Sequence, residues 1–292
     1  MKKFTSILAA ALVCGSLSAN AQNGFTIKPA IDSETFEPTF KFSKENKYYA
    51  VVLDDETRAA NIDDDQYVYV GPDADNGRNL WIWDGKSKFL ENLSDNNSFN
   101  VPGNYMAYQC GDAGWSGLGY NVAKANPIDL SGITSEYTLH MALKSTDDDT
   151  FELYFTDMND HQANLVFGKT AYDDKDAIGD FKRDGEWYNI DIPMSYLEDN
   201  FGFSFKGASQ YCDKNLLCVL AGGRESATIC YDAVFFYGPK NSTGVNGINA
   251  SESNAAKSFY TISGEKVSEA YANANKGIYI EKQGNVTKKI IK

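Results

Sequence analysis

Apolar and polar residues alternate along two neighbouring stretches in the middle of the chain. Every second residue of Tyr137–Leu143 is large and apolar, and Phe151–Phe155 repeats the pattern with Glu152 and Thr156 on the opposite side. A period of two is typical of a β-strand with one buried face. The polar run of residues 145–150 between the stretches is typical of a turn. The pattern therefore predicts a β-hairpin.

Similar short runs recur through residues 36–238, with only one helical turn, over Met194–Asp199. Short strands separated by Gly and Asp turns are typical of β-sandwiches and jelly rolls. Long amphipathic helices between strands are missing, which disfavours an α/β enzyme. We therefore predict an all-β protein, an antiparallel β-sandwich of the jelly-roll type, preceded by an extension at residues 22–35. The further strands predicted are Gln66–Val70, Asn79–Trp83, Met106–Cys110, Ala163–Phe167, Trp187–Ile192, Phe201–Phe205, Leu216–Ala221 and Thr228–Tyr237.

The start of the chain has the pattern of an export signal. Residues 1–21 carry two lysines, the apolar stretch Ile7–Val13 and small residues ending at Ala21. This fits a signal peptide, with Gln22 as the first mature residue. The alternative is lipidation at Cys14, although Val13 stands where a small residue is expected. No later stretch approaches the ~20 apolar residues of a membrane span.

Composition changes after Gly238. Residues 239–256 are rich in Asn, Ser and Ala and predict a polar linker, and residues 257–292 form a short β-rich tail. The chain has 27 basic and 40 acidic residues, and seven Lys against three Glu lie in the tail. The acid excess therefore belongs to the body, where it disfavours nucleic acid and anionic membranes as partners. Neutral glycans or cations remain compatible partners for an acidic body. A contribution to solubility alone would also explain the acid excess.

Three short motifs give the tail a family resemblance. Phe259–Val267 is an aromatic-rich run with a Ser-Gly turn, Lys276–Ile280 reads Lys-Gly-Ile-Tyr-Ile, and Lys288–Lys292 is a basic, apolar end. These motifs resemble the C-terminal sorting segment of proteins that the type IX secretion system of Bacteroidetes exports. The tail is short for that family. The resemblance implies a secreted or outer-membrane surface protein that contacts the secretion machinery.

The body carries a second resemblance, to the galactose-binding-like jelly roll found in many carbohydrate-binding modules. It rests on a strand that reads W-x-x-x-x-I-P at Trp187–Pro193 and a closing strand with an Asp before alternating apolar residues at Asp232–Phe236. The resemblance implies a glycan ligand and makes Asp232 a candidate ligand of a structural calcium ion, since Ca²⁺ prefers oxygen ligands. The alternative is that Asp232 caps a turn.

Aromatic residues are the candidates for sugar contact, because their rings stack on the apolar face of a pyranose. Trp81 and Trp83 share one face of a strand, and they line either a platform or the core. Trp115 lies in the Gly-rich run of residues 111–120, which predicts an exposed loop, and Tyr120 lies close by in sequence. We predict that Trp187 belongs to the core.

Four cysteines remain after maturation: Cys110, Cys212, Cys218 and Cys230. An exported chain meets oxidising surroundings, so two disulfides are one interpretation, with Cys212 and Cys218 the easiest pair to close. The alternative is four reduced, buried thiols.

Catalytic motifs are missing from the sequence. It has two histidines, His140 and His161, and no G-x-S-x-G, H-E-x-x-H or strand-linked G-x-G-x-x-G motif. The hypothesis from sequence is an exported, non-catalytic carbohydrate-binding protein of the bacterial surface or secretome. The alternatives are a structural or adhesive surface protein without a small ligand, and a glycoside hydrolase or lyase with two facing carboxylates.

Overall fold

The structure is a computed structural model. It describes residues 24–83, 87–90, 93–103, 105–111, 116–221, 224–240, 257–261, 265–283 and 286–291. The predicted signal peptide and nearly all of the predicted linker lie outside these residues. In chain order the elements are β1 (Thr26–Pro29), β2 (Asn46–Val52), α1 (Asp55–Asn61), β3 (Tyr67–Tyr69), β4 (Leu80–Ile82), β5 (Lys88–Leu90), β6 (Met106–Gln109), β7 (Ser116–Asn121), β8 (Thr138–Lys144), β9 (Phe151–Thr156), β10 (Gln162–Phe167), β11 (Tyr188–Pro193), α2 (Met194–Phe201), β12 (Asn215–Ala221), β13 (Thr228–Pro239), β14 (Lys257–Thr261), β15 (Lys266–Val267), α3 (Glu269–Ala274), β16 (Ile278–Gln283) and β17 (Val286–Ile291).

The body is a sandwich of two sheets. The eight-stranded sheet has the order β1-β11-β8-β13-β2-β3, with β6 paired to β13 and β5 paired to β6. The five-stranded sheet has the order β10-β9-β12-β7-β4. Neighbouring strands are antiparallel, apart from the parallel pair β2 and β3. The prediction of an all-β, antiparallel sandwich is confirmed.

The main core fills the space between the two sheets. The alternating residues Leu139, Met141 and Leu143 of β8 enter it from one sheet, and Leu153 and Phe155 of β9 enter it from the other; all five are fully buried. Alternation therefore predicted correctly which face of each strand is buried. It also fixes which side chains of β9 point away from the core.

The outer face of the eight-stranded sheet is covered by the chain itself. Phe40, in the segment between β1 and β2, packs on His140 with ring centroids 4.3 Å apart. The buried His140 also contacts Asp191, with Nδ1 and Oδ1 2.7 Å apart. Trp187 is 6% exposed and donates from Nε1 to the Asn96 carbonyl at 2.9 Å, so its predicted place in the core is confirmed.

Two boundaries differ from the sequence predictions. Phe25 lies in the core and β1 pairs with β11, so the body begins before residue 36, and the described part of the predicted extension, residues 24–35, is not separate from it. The predicted strand Phe201–Phe205 is wrong, because α2 continues to Phe201 and ends at Gly202 with φ 65°. The apolar period of two there comes from a loop that buries Phe203 and Phe205.

The tail forms a sheet of its own, with the order β15-β14-β16-β17. Phe259 and Tyr279 are its buried residues, packed with Val267 and Ile290. The predicted β-rich character of the tail is present in strands β14 to β17, and α3 is an addition that the sequence analysis missed. Within the described residues, no helix is both long enough and apolar enough to cross a membrane.

Candidate functional site

Two tryptophans project from the outer face of the five-stranded sheet. Trp81 lies on β4, the edge strand, opposite Gly119 of β7, and Trp83 follows directly after β4. Trp81 is 53% exposed and Trp83 is 37% exposed. The interpretation that these two rings belong to the core is therefore wrong, and the platform interpretation agrees with their exposure.

The platform depends on two glycines of β7. An added Cβ at Gly117 would lie 3.0 Å from Cε3 of Trp83, and one at Gly119 would lie 3.1 Å from Cη2 of the same ring. The six-membered ring of Trp83 therefore packs against backbone that has no side chains on this face. Glycine is unfavourable inside a strand, and it often marks a close approach of this kind. The Gly-x-Gly spacing holds Trp83 against the sheet.

Strand register places a row of side chains across the whole sheet. Trp81 lies opposite Gly119, which lies opposite Cys218, followed by Tyr154 and then Asn164. Neighbouring strands are about 4.8 Å apart, so the row is about 19 Å long. Gly119 and Cys218 in the middle of the row are buried, so its accessible parts are Trp81 at one end and the half-buried Tyr154 and Asn164 at the other, polar end.

Amide side chains give the polar end its hydrogen-bonding capacity. By alternation, Asn121 lies on the same face as Gly119, and Gln162 lies on the same face as Asn164. Asn215 is opposite Asn121 and lies near the Tyr154 hydroxyl. Amides both donate and accept hydrogen bonds, which suits ligands whose hydroxyls do the same.

A buried ion pair borders this row. Glu152 on β9 is fully buried, accepts a hydrogen bond from Asn164 and lies 3.3 Å from the Lys175 ammonium. Lys175 belongs to a tight hairpin that bonds to Tyr172 in both directions at 3.0 Å. The Tyr172 hydroxyl donates to the Ala221 carbonyl at 3.2 Å, which fixes this hairpin to β12. The charges of Glu152 and Lys175 compensate each other.

The titratable groups in the centre of the row are neutral at pH 7. Burial raises the pKa of Cys218 to about 12. Burial, followed by the nearby Cys218, raises the pKa of Tyr154 above its usual value. Both groups hold their protons, and the ion pair beside them carries no net charge. The face therefore favours an uncharged, hydroxyl-rich ligand over an anionic one.

Two other predicted contact residues have different outcomes. Tyr120 is 2% exposed, and its hydroxyl donates to the Val70 carbonyl at 2.8 Å. It lies on the inward face of β7, so the prediction that it contacts a ligand is wrong. The loop predicted for residues 111–120 is wrong in its second half, which forms β7. Trp115 lies outside the described residues.

All four cysteines are free, so the disulfide interpretation is wrong. Cys218 points to the outer face of the five-stranded sheet, whereas Cys212 packs on the opposite side, against the main core. Cys110 lies 2.9 Å from the Ser116 hydroxyl, and Cys230 packs on the outer face of the eight-stranded sheet. A disulfide needs facing Cβ atoms, which these directions do not provide.

Asp232, the candidate calcium ligand, is fully buried at a bulge of β13. Its Oδ2 accepts from the Ser98 amide at 3.0 Å and hydroxyl at 2.6 Å, while its buried Oδ1 has no hydrogen-bond partner. Burial raises the pKa of Asp232 to about 6. Ca²⁺ takes six to eight oxygens, and the described residues include no group of three His, Cys, Asp or Glu that could hold a metal. The unpaired Oδ1 would supply one of these oxygens, and the others are not identified. Calcium at Asp232 therefore stays a prediction.

Sequence reasoning missed Tyr154, Asn164 and Lys175 as parts of this face. One signal was present: the alternation of β9 already placed Glu152 and Thr156 opposite the core. The same alternation rule, applied to β10 and β12, would have placed Asn164 and Cys218 on the outer face with the rest of the row. The Lys175 hairpin had no comparable signal, because its position depends on contacts with distant strands.

Comparison with known proteins identifies no family. No known protein family matches the sequence, and no curated protein matches it. Among solved structures, the chain is similar to a family 11 carbohydrate-binding module from Clostridium thermocellum in complex with a β-1,3-1,4-mixed-linked tetrasaccharide, at 13% identity over 56% of this chain and 89% of that one, with a TM-score of 0.31. A family 30 carbohydrate-binding module matches at 12% identity over 54% and 90% of the two chains, with a TM-score of 0.33. The glycoside hydrolase domain of Endo-D from Streptococcus pneumoniae R6 matches at 12% identity over 73% and 37%, with a TM-score of 0.32. TM-scores of this size do not support the transfer of a ligand or an activity.

Proposed function

We propose that this protein is a non-catalytic carbohydrate-binding protein, and that the outer face of the five-stranded sheet holds a neutral glycan. The observation that carries the proposal is the exposed pair Trp81 and Trp83, one of them packed against a strand that lacks side chains there. Exposed aromatic rings on a rigid strand stack on sugar rings at a low entropic cost. The amides farther along the row would bind the hydroxyls of the same chain.

The electrostatics of the face set the class of glycan. Glu152 is compensated by Lys175, and the thiol and phenol in the row are protonated. An acidic polysaccharide would meet an overall acidic body, with a formal charge of −13 for the chain. A neutral polysaccharide avoids that repulsion.

Export to the cell surface or medium is part of the proposal. The signal-type start and the sorting-type tail support it, and so does a ligand class found outside cells. Fractionation of the producing bacterium and N-terminal sequencing test it. We expect surface or secreted protein that begins at Gln22, and recovery of the full chain in the cytosol would contradict export.

Affinity electrophoresis tests the binding proposal. The full chain is run in gels that contain neutral polysaccharides, including mixed-linkage β-glucan, xylan, galactan and mannan. We expect slower migration in at least one gel, and near-normal migration when Trp81 and Trp83 are both replaced by Ala. Tyr271→Ala is the matched control, because it removes a 50% exposed ring from the tail. Unchanged mobility in every gel would favour the structural or adhesive alternative.

A further inference from the structure

A cavity of about 260 Å³ opens on the other side of the body, away from the tryptophan face. It lies between helix α1, the segment that covers the eight-stranded sheet, and the loop around Phe99. Ligand pockets for drug-sized molecules have volumes of roughly 300–1,000 Å³. A cavity slightly below this range matches a ligand of one ring.

Three phenylalanine rings form the apolar part of the lining. Phe40 lies 5.1 Å from Phe42 and 6.5 Å from Phe99, and the rings of Phe42 and Phe99 are 5.3 Å apart. Phe40 is fixed from below by His140 and Phe235, at 4.3 Å and 5.3 Å. The apolar surface is therefore formed before any ligand arrives.

Helix α1 supplies a polar wall. Thr57 is 3% exposed, and its buried Oγ1 has no hydrogen-bond partner. Asn61 donates from Nδ2 to the Thr57 carbonyl at 2.8 Å, which orients its amide and leaves Oδ1 as an acceptor. Because Thr57 Oγ1 is itself closed off from solvent, the exposed Asn61 amide is the polar group of this wall that a ligand in the cavity can reach.

The chain next to the cavity is strained. Phe36 directly precedes the lining residues Glu37 and Pro38, has φ 61°, and is 70% exposed. A bulky residue in this region of φ is a true outlier, and such strain concentrates at binding sites. Asp32 holds the turn by accepting from the Thr35 amide at 2.8 Å and the Glu34 amide at 2.9 Å. The backbone of Phe36 is thus held in the turn that leads into the cavity wall.

We infer that this cavity is a second binding site, for one neutral pyranose ring such as the terminal residue of a glycan. The rings of Phe40, Phe42 and Phe99 would pack on its apolar face, and the Asn61 amide would hydrogen-bond to its hydroxyls. Glu37 and Glu56 line the cavity with Lys41, which lies 4.0 Å from Glu37. This excess of carboxylate disfavours acidic sugars. The site is separate from the tryptophan face and does not require it.

Saturation-transfer difference NMR on the full chain tests this inference. The probes are methyl β-glucopyranoside, methyl β-galactopyranoside and, as the anionic ring of similar size, methyl β-glucopyranosiduronic acid. Ala60→Trp fills the cavity from the exposed side of α1, and Ala59→Trp places the same bulk on the neighbouring, non-lining position of that helix. Asn61→Ala removes the amide without adding bulk, which gives an independent result if Ala60→Trp lowers the melting temperature.

We expect at least one neutral glycoside to bind, with at least tenfold weaker binding of the uronic acid. In the Trp81→Ala, Trp83→Ala background, which removes the proposed tryptophan face, Ala60→Trp should weaken binding of the neutral probe at least tenfold and Asn61→Ala about fivefold, while Ala59→Trp should leave it unchanged. No saturation transfer from either neutral glycoside, or equal binding by Ala60→Trp and Ala59→Trp, would overturn the inference. Complete absence of neutral-glycoside binding in that background, although the unaltered chain binds the same glycoside, would also overturn it. Gel retardation by polysaccharide, measured on the same proteins, reports separately on the proposed function.

Discussion

Gly119→Ala is the sharpest perturbation of the tryptophan face. An alanine Cβ there would meet Cys218 Sγ at 2.5 Å, the Leu217 carbonyl at 2.9 Å and Trp83 Cη2 at 3.1 Å. The carbonyl belongs to a paired strand and cannot move far, so Trp83 and the thiol must shift. The ring would then leave its position against β7.

The loss of folding free energy caused by Gly119→Ala can be estimated from other substitutions that overpack a protein core. Inserting a methyl group into a well-packed site costs about 1–3 kcal/mol. For a domain of this size, each kcal/mol lowers Tm by about 2–4 °C, so we expect Tm to fall by about 4–8 °C for a cost near 2 kcal/mol. Replacing Gly by Ala also stiffens the unfolded chain, which contributes about 0.4–1 kcal/mol in the opposite direction.

Gly179→Ala is the matched control, because its Cβ would meet Phe25 Cζ at an ordinary 3.4 Å. It carries the same unfolded-state effect without the close contacts. Differential scanning calorimetry should show the fall in Tm only for Gly119→Ala, and affinity electrophoresis should show weaker retardation by the glycan. Equal Tm and equal mobility of the two variants would refute the packing of Trp83 against β7.

Three further predictions concern the buried polar groups. The pKa of Asp232 rises on folding from 3.8 to about 6 because of burial, so its contribution to stability is present below pH 4 and lost as pH rises through 6. In chemical denaturation, the free energy of unfolding of Asp232→Asn should therefore differ between pH 4 and pH 7 by up to about 3 kcal/mol less than that of the unaltered chain. An equal difference in the two proteins would contradict this. Lys175→Met leaves the carboxylate of Glu152 buried without its cation, so urea unfolding should show that the free energy of unfolding falls by about 2 kcal/mol. Adding Glu152→Gln to the same chain should largely restore it, and no rescue would mean that the pair is not coupled. Burial raises the pKa of Cys218 to about 12, so iodoacetamide at pH 8 should leave this thiol unmodified in the folded chain. The same reagent should modify Cys218 in guanidinium without reductant. A thiol that is not alkylated in guanidinium would indicate a disulfide.

The local pattern predicted the parts of the fold that depend on neighbours in sequence. Strands β8 and β9 alternate with a strict period of two, and each buries the predicted face. These features need only the direction in which successive side chains point.

Features that depend on distant contacts were not predictable. Strand β7 contains two glycines, which is typical of a loop, but it pairs with β4 and β12, and Trp83, directly after β4, packs on both glycines. Tyr120 was placed on the surface for the same reason, and the neighbouring sheet instead buries it. Strand β1 pairs with β11 across more than half of the chain, and its own four residues carry no strong pattern.

The candidate site lies between these two cases. Trp81 and Trp83 were recognised as a pair on one face, but the sequence could not decide between core and platform. The strand pairing decides it, because β4 lies at the edge and its outward face meets glycines rather than a second layer.

Oxidative footprinting of the tryptophans tests the central claim most directly. The full chain is oxidised with and without the neutral glycan that retards it most, and each tryptophan is read by mass spectrometry. We predict that Trp81 and Trp83 oxidise readily in the free chain and are protected by the glycan, while the buried Trp187 resists oxidation in both states. Glycan binding that leaves Trp81 and Trp83 as reactive as before would contradict the account.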